Sequence, residues 1–227
     1  MSLPHLFLFG IYPYVAATVF VLGSLFRFER EQYTWKSDSS QLLYRGKLRT
    51  GSILFHVGVL GLFLGHLIGL LMPVAVWDML GVSHGFKQQV AMAAGGVMGT
   101  LCLVGLLILL QRRLAQARLA AVTTWGDKLL LAWLLLTLLL GLSTIAASAG
   151  HLDGRVMVQL MTWAQHLTTF RGDASSFIAD VPLVYRAHLF MGISLFMIFP
   201  FTRLVHVWSG LASVTYLGRA WQLVRPR

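Results

Sequence analysis

One cysteine, Cys102, and eight acidic residues among 227 positions exclude several kinds of protein at once. A single thiol builds neither a disulfide framework nor a cysteine-based zinc or iron–sulfur site from this chain alone, so any metal must be held by other ligands. Charge is scarce too: Asp, Glu, Lys and Arg make up 11% of the chain, against about 25% in ordinary soluble domains. That scarcity excludes a soluble globule of this size. The basic region of a cleaved signal peptide is missing from the amino terminus, so the first apolar segment is expected to be retained. No internal repeat, low-complexity linker or attached soluble catalytic domain is legible, and a single domain over residues 1–227 is expected.

What the chain has in excess is apolar residues, 57% of the total, grouped in long runs. An α-helix of about 20 residues rises about 30 Å, enough to cross the hydrocarbon layer. Five segments qualify, residues 6–26, 52–72, 90–110, 129–149 and 183–207. They are rich in Leu, Gly and Ala without two-residue alternation, which argues against strands, and helices satisfy their backbone groups internally where lipid offers no partner. The expected fold class is all-α, an integral membrane bundle of five transmembrane helices. Pro13 and Pro200 fall inside spans, where each removes a helical hydrogen bond and is expected to bend the rod.

The 18 Lys and Arg residues give a net charge of +10, a surplus that in a soluble protein would suggest nucleic-acid binding. In a membrane protein the same surplus reports orientation. Fourteen of these cations fall in residues 27–49, in residues 112–128 and in the tail from Arg203, all on one side of the bundle. Only four fall on the other side. The positive-inside rule then places the amino terminus outside, in the periplasm, and the carboxyl terminus in the cytoplasm, with membrane lipid as a partner and no nucleic acid. On the outer side, Val156, Leu160, Met161, Trp163, Ala164 and Leu167 recur at near-helical spacing, predicting an amphipathic helix lying on the membrane surface.

Four of the eight histidines, His56, His66, His188 and His206, fall within or at the end of spans. Ionisable side chains in lipid are costly and mark sites or pathways. The second and fifth spans run antiparallel, so His66 meets His188 toward the outer side and His56 meets His206 toward the cytoplasmic side. Neutral imidazole is an axial ligand of haem iron, and two bis-histidine b-type haems stacked across the membrane are expected. Ideal helical geometry fits this only in part. The rise between the two histidines is about 15 Å on the second span and about 27 Å on the fifth, and His56 and His66 stand about 80° apart around their axis. Tilting, splaying or a bend at Pro200 would have to reconcile them. The alternatives are interhelical hydrogen bonding and a histidine-lined proton path, although none of the acidic residues lies mid-span.

Gly58, Gly61, Gly65 and Gly69 line the second span, giving close approach either to a flat macrocycle or to another helix, and Gly95, Gly96 and Gly99 on the third span allow the same two readings. Arg112, Arg113 and Arg203 stand at the cytoplasmic interface, where one of them can partner a haem propionate and the rest serve as topology signals. His5, His84, His151 and His166 lie at outer surfaces or in loops and receive no role. Lys87 is the lone cation before the third span. It is either a snorkelling lysine or a hydrogen-bond donor to a quinone or quinol oxygen near His66.

The motifs Ile11-Tyr12-Pro13-Tyr14, Gln32-Tyr33-Thr34-Trp35 with Ser39-Ser40-Gln41, Phe55-His56-Val57-Gly58, Gly65-His66, Ala91-Met92-Ala93 with Gly95-Gly96, and the run Phe201 to Trp208 carry a likeness that extends to the Gln222-Leu223-Val224-Arg225 tail. In these the chain resembles the gamma subunit of respiratory nitrate reductase. The resemblance implies a dihaem cytochrome b of the bacterial inner membrane that oxidises quinol, menaquinol or ubiquinol, and anchors a molybdenum-containing alpha subunit through an iron–sulfur beta subunit on the cytoplasmic side. It implies two haem b groups, the outer on His66 and His188 and the inner on His56 and His206, with Lys87 matching the family's quinol-site lysine. The departures concentrate around residues 74–85, at the third-to-fourth connection and at both termini. Rival readings are a dihaem membrane subunit of a sulfur-compound or heterodisulfide reductase, and a haem-free transporter or anchor.

Overall fold

The computed structural model describes residues 2–31, 44 and 46–209, so the motifs at 32–35, 39–41 and 222–225 lie outside the described residues. Five helices are long and apolar enough to cross a membrane: Leu3–Glu31, Leu48–Leu71, His84–Ala115, Trp125–Ala149 and Leu183–Phe201. Among the described residues there is no strand. Large apolar side chains such as Leu22, Leu60, Phe63, Val97 and Leu136 stay exposed along them, as lipid-facing positions should. The helices pack in series, second on third, third on fourth, fourth on fifth and fifth on first.

The tightest contact joins the second and third spans. A Cβ on Gly58 would overlap the backbone of Met98 and Cys102, and one on Gly105 would overlap the backbone of Phe55 and Gly51. Small residues therefore let two backbones touch, the ordinary basis of helix association where lipid removes the hydrophobic driving force.

Both prolines have structural consequences. Pro13 lacks an N–H for the carbonyl of Phe9 one turn earlier. The helix widens there to a π turn over Phe7–Ile11, and the Phe9 carbonyl accepts instead from Trp163 Nε1 at 2.9 Å. Trp163 belongs to the amphipathic helix Arg155–Thr168, the helix that the spacing of Val156 to Leu167 predicts. It covers one end of the bundle, burying Trp163 and Ala164 in a cluster with Phe9, Ala174, Ile178, Val181 and Tyr185. Gln165 Nε2 fastens it by donating to the carbonyls of Leu70 at 3.3 Å and Met72 at 3.1 Å, where the second span ends and its last carbonyls lack intrahelical partners.

At Pro200 the fifth span is broken rather than bent. Its α-helix stops at Ile198, a 3-10 turn covers Phe199–Phe201, Thr202 is extended at φ −121° and ψ 176°, and a second 3-10 turn covers Arg203–Val205. The first span stabilises this break. Arg27 Nη1 donates to the carbonyls of Pro200 at 2.6 Å and Thr202 at 2.9 Å, and one turn earlier Gly23 lets the Pro200 ring come close, since a Cβ there would lie 2.9 Å from Pro200 Cγ. His206 thus follows an irregular segment, and continuous-helix arithmetic from His188 does not apply to it.

Candidate functional site

The four span histidines meet in two pairs. The rings of His66 and His188 have centroids 5.9 Å apart at an interplanar angle of 45°, and those of His56 and His206 lie 6.3 Å apart at 74°. Two imidazoles on opposite sides of one metal, each nitrogen about 2.0–2.1 Å from it, have ring centres about 6 Å apart. Both pairs match that spacing.

The ring protons are placed to suit it. His56 Nδ1 donates to the Ser52 carbonyl at 2.7 Å and His66 Nδ1 to the Leu62 carbonyl at 2.7 Å, each within its own helix. His188 Nδ1 donates to the Thr137 carbonyl at 3.0 Å, and His206 Nδ1 to the Arg203 carbonyl at 2.6 Å. A carbonyl has no hydrogen to give, so each neutral ring carries its proton on Nδ1 and keeps the Nε2 lone pair for a ligand. This is the usual outer-shell arrangement of a metal-binding histidine.

The donor set and the space around it suit a haem. Among the described residues no cluster of three or more metal-ligating side chains exists. Each pair supplies two nitrogens only, which is what an iron already held in its equatorial plane requires. The second and fifth spans are not among the closely packed helix pairs. Beside the His66–His188 pair, a Cβ on Gly65, Gly69 or Gly192 would meet nothing within 4 Å, leaving room for a flat macrocycle. The glycine pattern of the second span thus divides by depth, Gly58 and Gly61 serving contact with the third span and Gly65 and Gly69 facing open space.

Lys87 lies inside the first turn of the third span, whose helix starts at His84, earlier than its apolar run suggested. It is 6% exposed, which argues against a snorkelling lysine. Its Nζ donates to the Gly69 carbonyl at 3.2 Å, touches Met161 Sδ at 2.8 Å and sits 4.3 Å from the centre of the Trp77 ring. Gly69 is three residues beyond His66, so the ammonium reaches the helical turn that follows that histidine. An ammonium has three hydrogens, and one carbonyl with one weak thioether acceptor leaves donor capacity for a ligand oxygen.

At the opposite end, Asp127 joins the arginines. Its carboxylate accepts from Arg203 Nε at 2.8 Å and also from Arg203 Nη2, and Arg113 Nη1 lies 3.4 Å away. Arg112 donates to the Tyr44 carbonyl. Charge counting had assigned Asp127 no role. Its local signal is the capping box that starts the fourth span, in which Thr124 Oγ1 accepts from the Asp127 amide and the Asp127 carboxylate accepts from the Thr124 amide, each at 3.2 Å. The tertiary partner had no such signal.

A family model described as nitrate reductase gamma subunit matches residues 5–227. The chain belongs to the nitrate reductase gamma subunit family. Among its relatives in that family, the respiratory nitrate reductase 1 gamma chain of Escherichia coli (strain K12) is 46% identical over 227 residues, covering 100% of both chains. The respiratory nitrate reductase 2 gamma chain of the same organism is 47% identical over 223 residues, covering 98% of this chain and 97% of the relative. The nitrate reductase gamma chain of Bacillus subtilis (strain 168) is 37% identical over 223 residues, covering 97% of each. With five helices able to cross a bilayer, this gamma-family member is a membrane protein.

Proposed function

We propose that the chain is the dihaem b-type cytochrome subunit of a quinol-oxidising respiratory nitrate reductase in the bacterial cytoplasmic membrane. The observation that carries the reading is the meeting of two imidazole pairs at metal-spanning distance, every Nδ1 tied to a carbonyl and every Nε2 left for a ligand. His66 and His188 hold one haem b, and His56 and His206 the other. When bound, haem would supply reversible one-electron transfer at these two positions.

The protein's own residues then divide the work. Lys87, buried at the His66 end, donates a hydrogen bond to an oxygen of menaquinol or ubiquinol and orients it there. The side chains around it exclude water while the quinol's protons leave on the periplasmic side. The amino terminus lies in the periplasm and the carboxyl terminus in the cytoplasm, as the charge distribution favours. On the basic cytoplasmic face the chain docks an iron–sulfur beta subunit, which serves a molybdenum-containing alpha subunit where nitrate is reduced. Membership in the gamma family favours this over service to a sulfur-compound or heterodisulfide reductase.

A reduced-minus-oxidised spectrum of the purified full chain, with a haem count, tests the reading. Two low-spin b-type haems per chain are expected, and a colourless chain expressed with ample haem overturns it. His66→Ala and His188→Ala should each remove the same haem, about half the b-type absorption, while His56→Ala and His206→Ala remove the other. Loss of different haems within one pair would refute the pairing. Oxidation of the reduced haems by nitrate in the assembled complex separates this function from that of a sulfur-compound reductase subunit.

A further inference from the structure

The fourth span, Trp125–Ala149, contains no histidine, yet it meets His188 directly and, through Asp127, the Arg203 turn that precedes His206. Near its middle, Trp133, Thr137 and Gly141 follow at four-residue steps and so share one face. Trp133 Nε1 donates to the Met191 carbonyl at 3.1 Å, fixing the two helices side by side. The Thr137 carbonyl accepts from His188 Nδ1. A Cβ on Gly141 would lie 2.8 Å from His188 Cε1 and 3.4 Å from both ring nitrogens, so this glycine sets how the imidazole lies against the helix.

Near its start the same helix acts through an arginine. The carbonyl that accepts from His206 Nδ1 belongs to Arg203, in a 3-10 turn that lies between the α-helix ending at Ile198 and the helical residues that begin at His206. Asp127 holds it. The carboxylate takes two donors from the Arg203 guanidinium and is itself fixed by the Thr124 amide of the capping box. His56 and His66, by contrast, are oriented by carbonyls of their own unbroken helix.

We infer that the fourth span is the positioning element for both imidazoles of the fifth span, with Gly141 setting His188 and Asp127, through Arg203, setting His206. This rests on the dihaem reading above. Gly141 acts through His188 and Asp127 through Arg203 and His206, so both are positioning residues, and each serves a different haem.

The test is a potentiometric titration of the b-type absorption of the full chain in membranes, combined with low-spin haem electron paramagnetic resonance. Gly141→Ala should shift the midpoint potential and resonance of the His66–His188 haem alone, and Gly141→Val should lose that haem, about half the absorption. Asp127→Ala should shift or lose only the His56–His206 haem, with Asp127→Glu restoring most of it. Thr124→Ala, which removes the side-chain cap without touching Arg203, should leave both haems at their wild-type potentials. Equal effects on both haems from either the Gly141 or the Asp127 variants, or no effect from them, would overturn the inference while the dihaem reading stands. A wild-type chain without haem would overturn the dihaem reading itself, and the inference with it.

Discussion

The two halves of the second span contain similar glycines and use them oppositely. In the half nearer Arg49, Gly51 and Gly58 are buried against the third span, and at Gly58 the helix backbones leave no space for a side chain. In the half nearer Lys87, Gly65 and Gly69 face open space beside a histidine pair. Spacing alone does not separate a packing glycine from one that clears room for a ligand. The neighbouring helix decides, and it does so at Gly58 through the backbone atoms of Met98 and Cys102.

Substitution should separate the two halves most sharply. Gly58→Leu should destabilise the folded chain by about 3 kcal/mol or more, since rigid backbone must move to admit the side chain, whereas Gly65→Leu should leave the chain folded and lower haem occupancy at the His66–His188 pair. Thermal unfolding in detergent and haem counting distinguish these outcomes, and equal destabilisation would erase the contrast. A smaller effect is expected at Lys87. Lys87→Ala should lower quinol turnover by roughly the 10-fold or more that losing a charge-assisted hydrogen bond of about 1.5–3 kcal/mol brings, with both haems retained. Normal turnover would remove Lys87 from the quinol site.

The remaining predictions concern how the Lys87 end is closed. Trp163→Phe keeps an aromatic side chain, though a smaller one, and removes the donor to the Phe9 carbonyl; it should cost about 1–3 kcal/mol or more because that acceptor loses its partner inside the bundle. The smallest effect is expected from the His166–Asp173 pair, where the hydrogen bond from His166 holds the exposed Asp173 carboxyl below the usual carboxylate range. A depressed folded-state value contributes stability above the unfolded carboxylate pKa of about 3.9, and that contribution is lost as the pH falls through the lowered folded value. Unfolding of the wild-type chain and of Asp173→Asn, compared from pH 6 downward, should therefore converge in acid.

Much of the architecture was legible because lipid imposes a simple rule. An uninterrupted apolar run near 20 residues is either a span or a burden, and five runs gave five helices. The meeting of His66 with His188 and of His56 with His206 followed from depth and antiparallel direction. The position of His206 on its element did not. Straight-helix arithmetic carried it along an α-helix that ends at Ile198, and the mismatch in rise came from treating broken chain as rod. Pro200 was the visible signal, but the Arg27 and Gly23 contacts that stabilise the break come from 173 residues away in the case of the Pro200 carbonyl. The burial of Lys87 was hidden for a similar reason. Its cover comes from Trp77 and Met161, on segments whose docking no local pattern specifies.

The bond between the Phe9 carbonyl and Trp163 spans 154 residues. A chain made from its amino terminus exposes that acceptor almost at once and supplies its donor only after four spans have been synthesised. The first helix therefore waits through most of its own biogenesis with an open polar group. The end of the bundle that carries Lys87 cannot close before Trp163 is made, so chains terminated before residue 163 should enter the membrane yet remain unfinished there.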